Sequence, residues 1–403
     1  MAATQGAAQF EIERSGLEPG GATHDAALAA ARADGRLRMP DMTATRALDE
    51  IHASAIANGA SDIHLEPLDS GGRVRERVDG TLRVVRSCGP DLFAQLVARA
   101  KLLAGMDIAD RRTPQDGRYA IEGAARRVES RVSCMPTIAG EKVVLRLLDH
   151  HADVPALTDL GMPLESVPAF RSCIHAPHGF VVVCGPTGSG KTTTLYASLR
   201  DRNRSSDNLC TVEDPVEIRL PGVAQVQTNA RAGVTFASAL RGFLRQDPDV
   251  VMIGEMRDEE TAGAAAAASL SGQLILTSLH AKDSFAAVRR LVELGVAPHS
   301  LAAGLTAVLS QRLLRRTCAA CFGRAGGCAS CYGAGFAGRV PVFETLLLDD
   351  TMRALIADGA SAAILAAHAK QGGFRPMHMH AQERIAANLT NAEEVRRVLG
   401  DCA

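Results

Sequence analysis

Residues 180–192 read Phe-Val-Val-Val-Cys-Gly-Pro-Thr-Gly-Ser-Gly-Lys-Thr, an apolar β-branched run that breaks into a glycine-rich turn and closes on Lys191 and Thr192. The pattern G-x-x-x-x-G-K-[ST], Gly185 to Thr192, confines this stretch to a buried strand, a tight turn and a helix, expected over Lys191 to Arg200. Gly188 and Gly190 carry no Cβ, so the backbone can turn its N–H groups inward around phosphate oxygens while the positive end of the helix points to the same place. Pro186, Thr187 and Ser189 complete the loop, and Thr193 continues the first helical turn. Lys191 can then reach β and γ phosphates, and Thr192 offers a hydroxyl to Mg²⁺. A plain glycine turn before a helix is the alternative; the preceding strand argues against it. The loop is a nucleotide-phosphate cradle.

Around that cradle, 403 residues with 46% hydrophobic and 22% charged content suffice for two or three globular domains. No apolar run approaches the roughly 18 residues of a membrane span, and the first residues lack a basic-then-apolar signal pattern. A cytoplasmic chain without a membrane span is expected. Forty-four Lys and Arg balance 45 Asp and Glu, and aromatic residues make up 3% of the chain, so neither charge nor stacking surface points to nucleic acid.

Of ten cysteines, Cys88, Cys134, Cys173, Cys184, Cys210 and Cys402 are scattered, as reduced apolar fillers are. Cys318, Cys321, Cys328 and Cys331 instead form C-x₂-C-x₆-C-x₂-C, two chelating turns separated by a glycine-containing loop. Four protein ligands suit a structural Zn²⁺, which would organise a stretch with too few apolar residues to hold itself. An Fe–S cluster or a redox pair is the competing reading.

Residues 1–40 read as a weakly ordered tail with one helix, Ala26 to Arg36. A helix over Thr43–Asn58, strands over Gly72–Asp79, Thr81–Val85, Arg118–Ile121 and Arg126–Cys134, and a helix near Leu92–Leu103 compose an α+β domain spanning 41–149. The segment 150–168, with Pro155 and Pro163, reads as a linker. From 169 to 403 the pattern alternates strand and helix, the mark of an α/β parallel sheet. It includes the cysteine element at 316–333 and a helical part at 346–403.

Four strands carry the chemistry: Phe180–Cys184, Asn208–Val212, Val250–Ile253 and Gln273–Leu279. Their carboxyl ends deliver the cradle, then Glu213 with Asp214, then Glu255, then His280. Ligands of open α/β sheets bind at that edge, so these groups are expected to converge on the γ phosphate held by Lys191. Hydrolysis needs a carboxylate to orient water, and both Glu255 and Glu213 are candidates. His280 can sense the γ phosphate by hydrogen bond; a helix-capping or packing histidine is the plainer alternative.

These residues together resemble the ATPase family that powers type II secretion and assembles type IV pili. The resemblance runs from about Ala60 through Ala-Ser-Asp-Ile-His-Leu-Glu-Pro (60–67), Val-Arg-Glu-Arg-Val-Asp-Gly (74–80), Pro-Gln-Asp-Gly-Arg (114–118), Gly-Glu-Lys-Val-Val-Leu-Arg (140–146), Val-Glu-Asp-Pro-Val-Glu (212–217), Leu-Arg-Gln-Asp-Pro-Asp (244–249), Ile-Gly-Glu-Met-Arg-Asp (253–258) and Thr-Ser-Leu-His (277–280). It implies a homo-hexameric ring, each subunit an N-terminal α/β domain joined flexibly to a RecA-like core that hydrolyses ATP with Mg²⁺. It further implies that Arg131 and Arg146 close over the nucleotide, with Arg241, Arg245 and Arg257 serving the core or its subunit contacts; a solvated surface charge is the alternative for each. The implied partner is a polytopic inner-membrane platform protein, which would make the chain peripheral to the inner membrane. The four-cysteine element belongs to the assembly and secretion branch rather than to retraction motors.

The family's pattern is departed from at Gln273, Ala281 and Lys282, and in the short loop between the cysteine pairs. Residues 1–40 are also too few for the domain by which such ATPases dock to an inner-membrane adaptor, itself a candidate partner. Either that docking is lost or another means of recruitment is expected. Two rivals share parts of the pattern: a conjugation-type or DNA-translocating ATPase, and a scaffold that binds ATP for shape alone.

Overall fold

The computed structural model describes residues 44–122, 127–148 and 153–400. The helix expected at 26–36, the tail around it and Cys402 lie outside the described residues.

The first domain is a six-stranded antiparallel sheet in the order β3-β2-β1-β6-β5-β4. Its strands are β1 (Asp62–Leu68), β2 (Gly71–Val78), β3 (Thr81–Cys88), β4 (Gln115–Glu122), β5 (Arg127–Thr137) and β6 (Gly140–Leu148). Successive side chains of a strand point to opposite faces, and β5 shows the consequence. Val128, Val132 and Cys134 are buried on one face, while Glu129, Arg131 and Ser133 occupy the other. The apolar face is covered by the helices Ala44–Ala57 and Pro90–Leu103, whose Leu48, Ile51, Leu96 and Val97 pack on Ile63, Leu65, Val74, Val143 and Leu145. The opposite face is lined with charge. Asp62, Arg131 and Arg146 lie side by side across β1, β5 and β6.

The second domain is a seven-stranded sheet, β13-β12-β7-β11-β10-β8-β9. Its members are β7 (Gly179–Cys184), β8 (Leu209–Glu213), β9 (Val223–Gln227), β10 (Val250–Ile253), β11 (Leu274–Leu279), β12 (Leu305–Thr317) and β13 (Phe336–Leu347). All neighbours run parallel except the edge pair β12–β13. Strands covered on both faces read as continuous apolar runs, and β7, β8, β10 and β11 are buried at every residue. One apolar layer lies under the helices 236–243, 259–270 and 284–293, and the other under 166–174 and 191–202. The sheet thus has the α/β architecture expected from the strand–helix alternation.

Three observations differ from the sequence reading. Strands β1 and β6 lie where motif segments were noted without strands, and β9, β12 and β13 extend the sheet beyond the four strands identified. In the segment 150–168, Leu157–Leu160 form a turn of 3₁₀ helix, and Val154, Leu157, Leu160 and Met162 are buried in the second domain's core. Apolar residues spaced to reach one sheet face pack there even between prolines. Finally, the helix beginning at Lys191 runs on to Arg202.

Candidate nucleotide site and tetracysteine cluster

The cradle is built as a strand end running into a helix. Backbone of Gly185 passes so near β12 that a Cβ there would stand 2.5 Å from Ser189 Oγ and 2.6 Å from the Gln311 carbonyl oxygen. Gly190 has φ +87° and caps the helix in a left-handed conformation that side chains rarely adopt. Lys191 is buried and its Nζ donates to the carbonyls of Gly185 at 2.9 Å and Pro186 at 3.0 Å. Its ammonium is therefore satisfied by the loop it closes. Burial lowers the lysine's pKa and the Glu255 carboxylate opposes that shift. Ser189 Oγ is buried with no hydrogen-bond partner. An orphaned donor and a cation held only by carbonyls fit a phosphate group in this loop.

Two supports of the loop carried no sequence signal. Gln311, on β12, donates from Nε2 to the Ser189 carbonyl at 2.6 Å and accepts at Oε1 from Thr194 Oγ1 at 2.7 Å. One buried carboxamide thus ties the loop to the helix that follows it. Tyr196, one turn along that helix, donates its hydroxyl to Glu213 and accepts from the backbone N–H of Glu217 and Ile218.

At the sheet's carboxyl edge, Thr277 donates to the carbonyl of Ile253 and Ser278 to that of Gly254, while the Gly254 N–H donates to Val212. This stitching fixes the chain where it leaves β10 and β11. Glu255 and His280 meet there, Oε1 to Nε2 at 2.9 Å. Arg257 Nε donates to the other Glu255 oxygen at 2.7 Å and stands 3.7 Å from Asp214. The Arg257 guanidinium's pKa is raised, chiefly by its hydrogen bond to Glu255. Glu213 is different. It is buried, and its oxygens accept from Thr211 Oγ1 at 2.6 Å, Gln225 Nε2 at 3.1 Å and the Tyr196 hydroxyl. Burial pushes its carboxyl pKa up against those hydrogen bonds. Glu255 is the carboxylate that faces a histidine and an arginine at the sheet edge; Glu213 is the one enclosed by neutral donors.

The arginines of the first domain divide. Arg131 lines a cleft of about 540 Å³ between the domains, with Arg118 and Glu129 on one wall and Pro215, Val216 and Arg219 on the other. Arg146, one strand over, donates from Nε to Asp62 at 2.9 Å. Among the core arginines, Arg241 pairs with Glu260 at the surface and Arg245 is exposed.

Cys318, Cys321, Cys328 and Cys331 gather their sulfurs within 4.8 Å of one another. A Zn–S bond of about 2.3 Å sets the edges of a sulfur tetrahedron at about 3.8 Å. The Cys318–Cys328 and Cys321–Cys331 sulfurs stand 3.8 Å apart, and Cys328–Cys331 3.7 Å. These separations fit a tetrahedral metal. Against burial, which acts the other way, the N–H groups of Cys328 and Gly335 on its sulfur hold the Cys331 thiol down to about 6, favouring the thiolate a metal needs.

Residues 40–397 match the family model described as "Type II/IV secretion system protein". The type II secretion system protein HxcR of Pseudomonas aeruginosa is 47% identical over 362 residues, covering 88% of this chain and 77% of that one. The type II secretion system ATPase E of Vibrio cholerae is 40% identical over 381 residues, covering 89% and 76%. Among solved structures, the pilus retraction motor PilT with bound ADP superposes with a TM-score of 0.62 at 26% identity, covering 88% of this chain and 97% of that one.

Proposed function

This chain belongs to the type II/IV secretion system protein family as an ATPase of that family, and from that premise we propose that it is the motor of a type II secretion system, turning ATP hydrolysis into filament assembly. The observation that carries the reading is the 2.9 Å contact of His280 with Glu255 at the ends of β11 and β10, the first of which neighbours the strand that delivers Lys191. In this account Lys191 leaves its two loop carbonyls for the β and γ phosphates, and Thr192 supplies a hydroxyl ligand to Mg²⁺. The metal supplies charge neutralisation at the phosphates. Glu255 orients the attacking water, while His280 and Arg257 hold its carboxylate in place and answer to the γ phosphate. Glu213, enclosed by Tyr196, Thr211 and Gln225, couples the nucleotide-binding helix to the loop after β8.

Arg131 and Arg146 would close over the nucleotide as the first domain moves toward the second, bringing positive charge to the leaving phosphates. Six copies would form a ring, peripheral to the inner membrane through a polytopic platform protein and an adaptor. Among the described residues no helix is long and apolar enough to cross a membrane. Zn²⁺ in the tetracysteine cluster would be structural. Extension of a type IV pilus is the alternative client.

Phosphate release by the full chain tests this reading. The native protein is expected to hydrolyse ATP with Mg²⁺, without response to added DNA, and Lys191→Ala to lose that activity. Strong stimulation by DNA would favour a translocase instead, and unchanged hydrolysis by Lys191→Ala would reject the site.

A further inference from the structure

Between Cys318 and Gly335 the buried residues are Cys318, Gly327, Cys331 and Gly335, while the aromatic rings of Phe322 and Tyr332 are 82% and 67% exposed. A segment that buries only cysteines and glycines has no apolar core of its own. Its shape rests on the gathering of four sulfurs. Yet this is the segment that reaches the first domain.

Tyr332, directly after Cys331, donates its hydroxyl to Asn58 Oδ1 at 2.9 Å. The guanidinium of Arg83 lies over the same ring, 5.5 Å from its centre. A few residues on, the Gly338 N–H donates to Asp79 Oδ2 at 2.6 Å and Arg339 Nε stands 3.8 Å from the other Asp79 oxygen. Both receiving residues are fixed in their own domain. Asn58 donates from Nδ2 to the buried Glu76 at 2.9 Å and to Ser54 Oγ at 3.2 Å, and Asp79 forms with Gly80 the turn that joins β2 to β3. On the other side, Arg315 stacks on the Phe336 ring at 4.2 Å and is held by three bonds to Glu394 of the helix Ala392–Leu399, one from its backbone N–H and two from its guanidinium. The tetracysteine segment is thus rooted in the second domain and lies against the first.

Among the described residues the two share no hydrophobic cluster, and the cleft between them is lined by Arg118, Arg131 and Arg219. A polar contact of this kind leaves domain position adjustable.

We propose that the tetracysteine segment is a metal-dependent latch that holds the first domain against the second domain of the same chain, through Tyr332 on Asn58 and Arg83 and through Gly338 and Arg339 on Asp79. Metal at the four sulfurs sets the backbone at Cys331, and therefore the direction of Tyr332. Loss of the metal frees the β2–β3 turn and lets the first domain move while the phosphate loop and the Glu255–His280 pair keep their places. This inference is independent of ATP turnover.

The test uses the nucleotide-free full chain, with zinc content, amide hydrogen exchange and small-angle X-ray scattering as readouts. The native protein is expected to hold one zinc per chain, and chelation to speed exchange at residues 79–83 at least tenfold and to increase the radius of gyration. Tyr332→Ala with Asp79→Gly, which keeps the left-handed φ of +51° at the turn, is expected to reproduce both changes while keeping one zinc per chain. Chelation that loosens 318–335 but leaves the turn and the scattering unchanged would overturn the latch. So would a double variant indistinguishable from native, or native protein without bound metal.

Discussion

Gln311 illustrates how a residue far from the phosphate loop in sequence can govern it. Its partner Ser189 lies 122 positions earlier, and only the pairing of β12 with β7 brings them together. The loop's own residues, by contrast, were legible because their spacing is itself the structure: strand, turn and helix are contiguous. Glu255 and His280 were legible for a related reason, each ending an apolar run that had to be a buried strand. Tyr196 was not, since a tyrosine inside a helix says nothing of a carboxylate on a neighbouring strand. If Gln311 holds the loop in its phosphate-ready shape, Gln311→Leu removes two hydrogen bonds worth about 1 kcal/mol each and leaves the Ser189 carbonyl unpaired. ATP affinity is expected to fall about tenfold or more, read from nucleotide titration. Gln311→Glu keeps the acceptor for Thr194 but sets a buried carboxylate against the Ser189 carbonyl, and should lose at least as much. Equal affinity in all three proteins would show that the loop does not need this support.

Elements are joined here by two buried histidines whose protonation the fold opposes. His52, on the helix Ala44–Ala57, sits 2.8 Å from the Tyr119 hydroxyl of β4, and His380, on the helix Met377–Ala386, accepts at Nδ1 from the Phe343 N–H of β13. Burial lowers both to about 4. The unfolded chain takes up these protons near pH 6.5, the folded chain only near 4, so stability is fully present above 6.5 and is lost as pH falls toward 4. Each histidine should cost about 2 kcal/mol at pH 5. The urea midpoint is expected to drop between pH 7.5 and pH 5, and His52→Gln to flatten part of that dependence. A midpoint equal at the two values would mean that neither ring stays neutral in the fold. Element boundaries show where sequence patterns compete. Strands β7, β8, β10 and β11 were legible because burial on both faces leaves them uniformly apolar. The Leu-Ser-Gln-Arg-Leu-Leu run of β12 mixes spacings that suit helix and strand alike, and its strand state is set by β7 and β13 on either side. The 150–168 segment shows the same override, since prolines suggested a linker while Leu157 and Leu160 are buried in the core.

At the scale of the whole molecule, two separately cored domains meet through polar contacts at the tetracysteine segment and face each other across an arginine-lined cleft. That division suits a motor in which the nucleotide site and the position of the first domain are distinct variables. Domain order and the parallel sheet were legible in the sequence, because they follow from patterns local to each half. The contacts between halves were not, since Asn58 and Tyr332 carry no mark of each other across 274 residues. Central to the account is that the carboxylate ending β10 activates water beside a phosphate held by the loop ending β7. Single-turnover phosphate release by Glu255→Gln, measured together with ATP affinity, tests this most directly. Native-like ATP binding with release slowed at least a hundredfold is the expected result. Release at the native rate with ATP bound would contradict it.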